Sequence, residues 1–149
     1  MTNLSEIERL LQNQLISLNV REEGLHKAVT AITLNKIIQE GLNGDCLKTL
    51  EESIPRSILA AVLDSSPSRL KRLYGRKLPI IDADRLYALI QLWPLIMNFF
   101  DNDKDAAEEW LLEECPAIDG AIPAKLLATS VGRNVTKLLI TRMSYGEMS

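Results

Sequence analysis

Carboxylates are the densest chemistry-bearing groups in this chain. Between Asp101 and Asp119 stand eight acids (Asp101, Asp103, Asp105, Glu108, Glu109, Glu113, Glu114 and Asp119) and a single base, Lys104. Two carboxylates brought together can divide acid and base work at one site. Glu108 and Glu109 are adjacent, however, and diverge on a helix, as do Glu113 and Glu114. The run therefore reads as a solvated acidic face. Asp101, Asp103 and Asp105 alternate as a calcium loop opens, but the later glycine and glutamate are missing, with Ala106 and Trp110 nearby instead. No glycine-rich loop has phosphate-binding spacing. Cys46 and Cys115 lack metal-ligand spacing and His26 is the only histidine, which disfavours a zinc site or a histidine-based catalytic centre. The expectation is a protein that is not an enzyme and uses no metal or cofactor.

The second chemically distinctive stretch is basic. Residues 54–77 read IPRSILAAVLDSSPSRLKRLYGRK, and no acid occurs between Asp64 and Asp82. One short helix is expected from Pro55 to Val62, with Ile58, Leu59 and Val62 on its apolar face. A second is expected from Pro67 to Tyr74, with Ser66 as N-cap and Pro67 at its first position. Leu70, Leu73 and Tyr74 turn inward on that helix, leaving Arg69, Lys71 and Arg72 outward, followed by Arg76 and Lys77. Two short helices meeting at a tight turn make a helix-turn-helix, whose second helix fits a DNA major groove. In that reading Ser66 and Ser68 meet phosphates or base edges at the helix N-terminus. Arg69 sits where a base is read, and Lys71, Arg72, Arg76 and Lys77 contact the backbone. A single such motif binds weakly, so a dimer reading two half-sites is expected. The alternative is a helical hairpin with a solvated basic face.

Composition bounds both readings. The chain has 149 residues, 46% of them apolar, enough for one domain or two small helical ones. Aromatics are only 5%, so aliphatic side chains must carry the core. A net charge of −3 argues against broad polyanion affinity but not against a local basic stripe. Two distant cysteines suit a reducing cytoplasm without a disulfide. The opening MTNLSEIERL does not read as a signal peptide. The apolar run at residues 86–100 is broken by Gln91, Pro94 and Asn98, too interrupted for a membrane span.

The elements that must position these groups are all helical. Leu4, Ile7, Leu10, Leu11, Leu15 and Leu18 predict an amphipathic helix over residues 4–18, with Ser5 and Glu8 as a capping box. Residues 21–40 predict a helix burying Leu25, Val29, Ile32, Ile37 and Ile38 and stopped by Gly41. Residues 44–51 predict a short one with Leu47 and Leu50 inward. Leu78 to Ile81 reads as an extended connector, since Pro79 biases Leu78 away from helix. Asp82 is expected to cap a helix over residues 83–99, apolar around most of its circumference, which Pro94 should kink or split. That helix is expected to be the hinge between two halves. Asp103 or Asp101 caps a helix through Leu112, with Trp110 and Leu111 inward. Pro123 opens another, with Leu126 and Leu127 inward. Gly132 breaks it or permits a close crossing. Residues 133–143 form the last, carried by Val135, Leu138, Leu139 and Met143 and ended by Gly146. After Gly120 the bases are Lys125, Arg133, Lys137 and Arg142, against the acid Glu147.

The order of these pieces resembles a known family. Phe99-Phe100, AAEEWL at residues 106–111, PAKLLAT at residues 123–129, then Gly132, Val135, Leu138-Leu139, Arg142 and Gly146 resemble the toxin-binding domain of Xre/MbcA/ParS-type antitoxins, the partners of RES-domain toxins. SRLKRL at 68–73 and DADRL at 82–86 resemble the Xre-like helix-turn-helix half. The resemblance implies an all-α protein: an N-terminal helix or arm at residues 1–20, a helix-turn-helix and dimerisation domain at 21–99, and a toxin-binding domain at 100–149. It implies an antitoxin whose C-terminal helices block the active-site entrance of an NAD-degrading RES toxin, and which binds operator DNA to repress its own operon. Arg133, Lys137, Arg142, Tyr145 and Gly146 would face the toxin. Trp110, Pro123, Leu126, Leu127, Thr129 and Gly132 would build the platform, with Thr129 also capping the turn before Gly132. Arg69 stands where the family often has threonine, and Asp101 where it usually has glycine. The alternatives are a plain helix-turn-helix regulator, and a protein-binding module whose helix-turn-helix no longer works.

Overall fold

The structure, a computed structural model, describes residues 25–146, and side chains from residue 32 onward. The helix expected at residues 4–18 with its Ser5–Glu8 capping box, the side chains of Leu25, His26 and Val29, and the tail beyond Gly146 lie outside the described residues. The fold is all-α. Its helices are α1 (Leu25–Glu40), α2 (Cys46–Leu50), α3 (Arg56–Val62), α4 (Ile80–Phe99), α5 (Lys104–Leu112), α6 (Pro123–Leu126) and α7 (Ser130–Ser144), with 3-10 segments at Pro67–Leu73 and Pro116–Ile118. Extended pairing among the described residues is confined to two antiparallel bridges, Asn43 with Lys77 and Cys115 with Ala121.

Local chemistry sets most boundaries. Gly41, at φ +109, ends α1 in a conformation that side chains resist. α1 buries Leu34, Ile37 and Ile38, whereas Ile32, expected inward, is 68% exposed. α4 starts earlier than expected. Pro79 is its N-cap, and Ile80 and Ile81 belong to its first turn rather than to a connector. Asp82 therefore does not cap; it lies in the first turn, 3.8 Å from Arg85. Pro94 does not split the helix. The ring removes the N–H that would bond the Ile90 carbonyl, but Trp93 and Ile96 on either side are buried, and Trp93 Nε1 donates to the Ser53 carbonyl at 3.0 Å. Tertiary burial thus outweighs one missing backbone bond. Asp103 caps α5, its carboxylate accepting from the Ala106 N–H at 3.1 Å. Before it, Asp101 and Asn102 turn the chain at φ 53 and 63. That is a left-handed corner, where the glycine usual in the resembled family would fit without strain.

The centre of the molecule is α3. Ile58, Leu59, Ala60 and Val62 are all buried, and the 3-10 segment, α4, α5 and α6 all pack against it. α4 is the second hub, touching α1, α3, α5 and α7. One hydrophobic cluster runs from Leu34 and Ile58 through Leu89 and Ile96 to Leu111, Leu127 and Ile140. The boundary expected near residue 100 falls at a helix end, within this continuous core. A side-chain bond joins the halves as well: the Ser57 hydroxyl donates to the Glu108 carboxylate.

α7 begins at Ser130, not Arg133, so Gly132 lies inside its first turn rather than breaking a helix. The glycine permits a close crossing. A Cβ there would stand 1.8 Å from the Leu126 carbonyl oxygen. Because the obstacle is backbone, Gly132→Ala forces α6 and α7 apart. The expected loss is about 1–3 kcal/mol of unfolding free energy or more, readable as a lower urea midpoint at unchanged m-value.

Candidate functional site

Two surfaces carry the residues singled out by the sequence. The first is the stretch from Ser66 to Lys77. Its second helix is not α-helical: Pro67–Leu73 is a 3-10 helix, and this corrects the expected recognition α-helix. The physical reasons are local. Leu70 alone is fully buried there, with Leu73 and Tyr74 only partly buried against the core. Ser66 occupies the N-cap position, but its hydroxyl pairs with the Ser68 hydroxyl at 3.2 Å and caps no N–H. Three residues per turn align Arg69 with Arg72 and Ser68 with Lys71 on the outer side. Ser68, Arg69, Lys71, Arg72, Arg76 and Lys77 are all exposed.

The loop between α1 and α2 clamps this segment. The Gly44 N–H donates to the Arg76 carbonyl at 2.7 Å, and the Leu78 N–H to the Leu42 carbonyl at 2.8 Å. Gly44 lies so close that a Cβ would meet the Leu73 carbonyl oxygen at 1.9 Å. The Asp45 carboxylate accepts from the Gly75 N–H at 2.6 Å. Tyr74, half-buried, donates its hydroxyl to Glu51 at 2.6 Å, and Arg56 donates to the other oxygen of Glu51 at 3.3 Å. Lys48 stands 5.0 Å above the Tyr74 ring. Desolvation, with the bond to Glu51 adding to it, pushes the Tyr74 phenol above its usual pKa. Glu51 likewise raises the Arg56 guanidinium. None of these partners was singled out in the sequence. The signal was there only as an unexplained acid, Glu51, upstream of a basic run.

The second surface is α7 and its footing. Thr129 is exposed yet caps the helix, accepting from the Gly132 N–H at 3.0 Å. Pro123 and Leu127 are buried and Leu126 is half-buried. Trp110 is half-buried, its ring 5.9 Å from that of Phe100. Arg133 is not a free surface cation. Its Nη1 donates to the Leu127 carbonyl at 2.9 Å, and burial lowers its pKa against the opposing pull of Asp84. Lys137, Arg142 and Tyr145 are exposed, and Gly146 turns the chain at φ +70. Inward, α7 buries Thr136, Leu139 and Ile140. Leu138, expected inside, is 54% exposed, Val135 only half-buried.

Sequence reasoning missed the outward apolar row. Val131 is 73% exposed and Tyr145 77%, with Leu138 between them. Their seven-residue spacing puts all three on one stripe of α7, beside Arg142. The interval was legible in the sequence, but the Leu138-Leu139 pair hid which leucine points out.

The acids of residues 101–119 are mostly exposed on and around α5, Glu108 excepted. Among the described residues no group of three or more His, Cys, Asp or Glu is placed to hold a metal ion. Cys46 is buried and Cys115 half-buried. No helix among the described residues is long and apolar enough to cross a membrane. No protein-family model matches the chain, and no curated protein matches it either.

Because Glu51 takes two side-chain bonds from the basic side of the molecule, Glu51→Ala should loosen that side selectively. Amides of Arg72 to Lys77 are expected to exchange hydrogen about tenfold faster or more, for roughly 1–2 kcal/mol of lost local protection, while those of α7 stay unchanged. Above pH 10 a related loss is expected in the native chain. The raised Tyr74 phenol keeps its proton in the folded state when the unfolded chain has released its own near pH 10. Its contribution to stability is therefore constant below that pH and falls as pH rises through the folded value. Tyr74→Phe should flatten the alkaline fall in thermal midpoint.

Proposed function

We propose that this chain is an antitoxin-type protein with two working surfaces. α7 holds a cognate toxin, and the basic segment from Ser66 to Lys77 contacts operator DNA. The observation that carries the reading is the stripe of Val131, Leu138 and Tyr145 standing out from a helix whose opposite face is buried. Large apolar side chains left in water at one-face spacing are what a partner covers. Full burial of such a side chain contributes about 1.5–3 kcal/mol, so three of them can anchor a complex. Arg142 borders the stripe, with Lys137 on the neighbouring flank, and such cations favour a partner with an acidic rim. The resemblance to Xre/MbcA/ParS-type antitoxins supplies the partner class: a RES-domain toxin that degrades NAD, its active-site entrance blocked by α7 and the turn at Tyr145 and Gly146. In this reading the protein works in the cytoplasm as a homodimer within a larger toxin–antitoxin complex and represses its own operon.

The exposed bases give the DNA surface its chemistry. Arg69 with Arg72, and Lys71 beside them, lie on the outer ridges of the 3-10 segment, with Arg76 and Lys77 following. Phosphate contacts of this kind position a protein without reading sequence. The 3-10 geometry favours a second reading, a protein-binding module whose helix-turn-helix no longer enters a groove.

Two variants separate these readings. Val131→Glu with Leu138→Glu places charges in the stripe without touching the buried face of α7. Co-purification with the RES-domain protein should weaken about a hundredfold or more, and NAD consumption should resume. Equal inhibition by this variant would overturn the proposal. Arg69, Lys71 and Arg72 changed together to alanine should leave toxin inhibition intact. For every phosphate no longer neutralised, the slope of log affinity against log salt should fall by about one. An unchanged slope selects the second reading.

A further inference from the structure

Between α4 and α7 lies a cleft of about 470 Å³, open to solvent on one side and of a volume suited to a metabolite-sized ligand. Its chemistry is divided. Leu92 and Leu95 supply an apolar wall from α4, and Arg133 and Lys137 bring two cations from successive turns of α7, with Gln91 and Asn134 between. No carboxylate lines it, although the chain as a whole is acidic. Arg133 is half-buried and fixed in direction by its bond to the Leu127 carbonyl, which engages one of its five N–H donors. Neither Arg133 nor Lys137 takes part in an ion pair among the described residues. The Asp84 carboxylate acts on this guanidinium only from beyond ion-pair distance, so its spare donors are open to a bound anion.

We infer that this cleft binds a small organic acid, its anionic head held by Arg133 and Lys137 and its apolar body laid against Leu92 and Leu95. The fork of the guanidinium matches a carboxylate or a phosphate head, and Lys137 adds a point charge at either. Asn134 can donate to a remaining oxygen, while the Gln91 amide is held at the cleft edge by its bond to the Tyr87 hydroxyl at 2.7 Å. The apolar toxin stripe of Val131, Leu138 and Tyr145 takes no part in the cleft, whereas Arg133 and Lys137, which the family resemblance turns toward the toxin, are here assigned to the anion.

Three probes sharing one apolar body test it on the full-length chain: 4-phenylbutyrate, 4-phenylbutylphosphonate and 4-phenylbutanol, each titrated against the backbone amide resonances. Saturable shifts centred on residues 88–95 and 130–137 are expected with the acids. The better acid should bind about tenfold more tightly than the alcohol or better, and whichever acid is the tighter names the head group. Lys137→Gln should weaken acid binding about tenfold while the alcohol is unaffected. Ala88→Leu, which fills the cleft from the α4 side, should abolish binding of all three. The inference fails if the acids and the alcohol bind alike, if the shifts do not saturate, or if both variants titrate like the parent. Arg133→Gln is the less useful variant, because it also removes the bond to Leu127.

Discussion

A seven-residue helix cannot hold its shape alone, and this molecule is built around one. Nucleating a helix fixes several dihedral angles before its hydrogen bonds repay them, so a segment as short as α3 survives only by burial. Ile58, Leu59, Ala60 and Val62 meet that demand from four directions, through the 3-10 segment, α4, α5 and α6. The consequence is mechanical. The basic segment leans on α3 through Leu70, and the platform under α7 reaches α3 through α6. Neither surface has a private core. Ser57 and Glu108 add a polar tie across the same helix, from a residue of its first turn to the middle of α5.

α7 shows how one helix serves several purposes when its faces differ. Gly132, Thr136, Leu139 and Ile140 make the inward face, and the bare glycine lets α6 lie against it. Arg133 and Lys137 are four residues apart and so share a flank, the one turned toward α4. Val131, Leu138 and Tyr145 occupy what is left. The Thr136 hydroxyl, fully buried, donates to the Gly132 carbonyl at 3.1 Å, so the polar atom inside the core is satisfied within the helix itself. Thr129 caps the start, and the Leu127 carbonyl takes up a donor of Arg133. The helix is thus fixed at its N-terminal end, with its outward row free.

Where periodicity and punctuation agreed, the elements were legible in sequence. Gly41 ended α1, Asp103 capped α5, Pro123 opened α6, and the helix expected to be apolar around most of its circumference buries Leu86, Leu89, Ile90, Trp93 and Ile96. The errors arose where tertiary context decided. A proline reads as a kink or a split, but Pro94 does not split α4, because it sits between two buried turns and the helix continues. Ser66 and Pro67 before Leu70, Leu73 and Tyr74 read as a capped α-helix, but Ser66 caps no N–H, only Leu70 is fully buried, and the segment winds as the tighter 3-10 turn. Asp82 reads as a cap, but Pro79 already starts the helix. Among the site residues, exposure of the bases from Arg69 to Lys77 followed from the inward assignment of Leu70, Leu73 and Tyr74 between them. The capture of Arg133 by the Leu127 carbonyl did not, because a cation binding a carbonyl in the turn before it leaves no trace in residue type.

Charge placement sets what can reach either surface. At physiological salt an exposed charge acts over about 8 Å, so a patch is felt by what touches it, not by what approaches the whole molecule. The net charge of −3 and the acids gathered around α5 therefore oppose a polyanion only where it comes within that distance of them. In the proposed reading, one basic strip on such a body would bind weakly, because each docking brings a polyanion against an acidic protein. Two strips held by a dimer would share that penalty across one binding event and multiply the contacts. The same reasoning applies to α7 with the opposite result. Its cations border an apolar row, and apolar burial is insensitive to the sign of the body behind it. The α7 surface can therefore work as a single copy, whereas the basic segment gains from a pair.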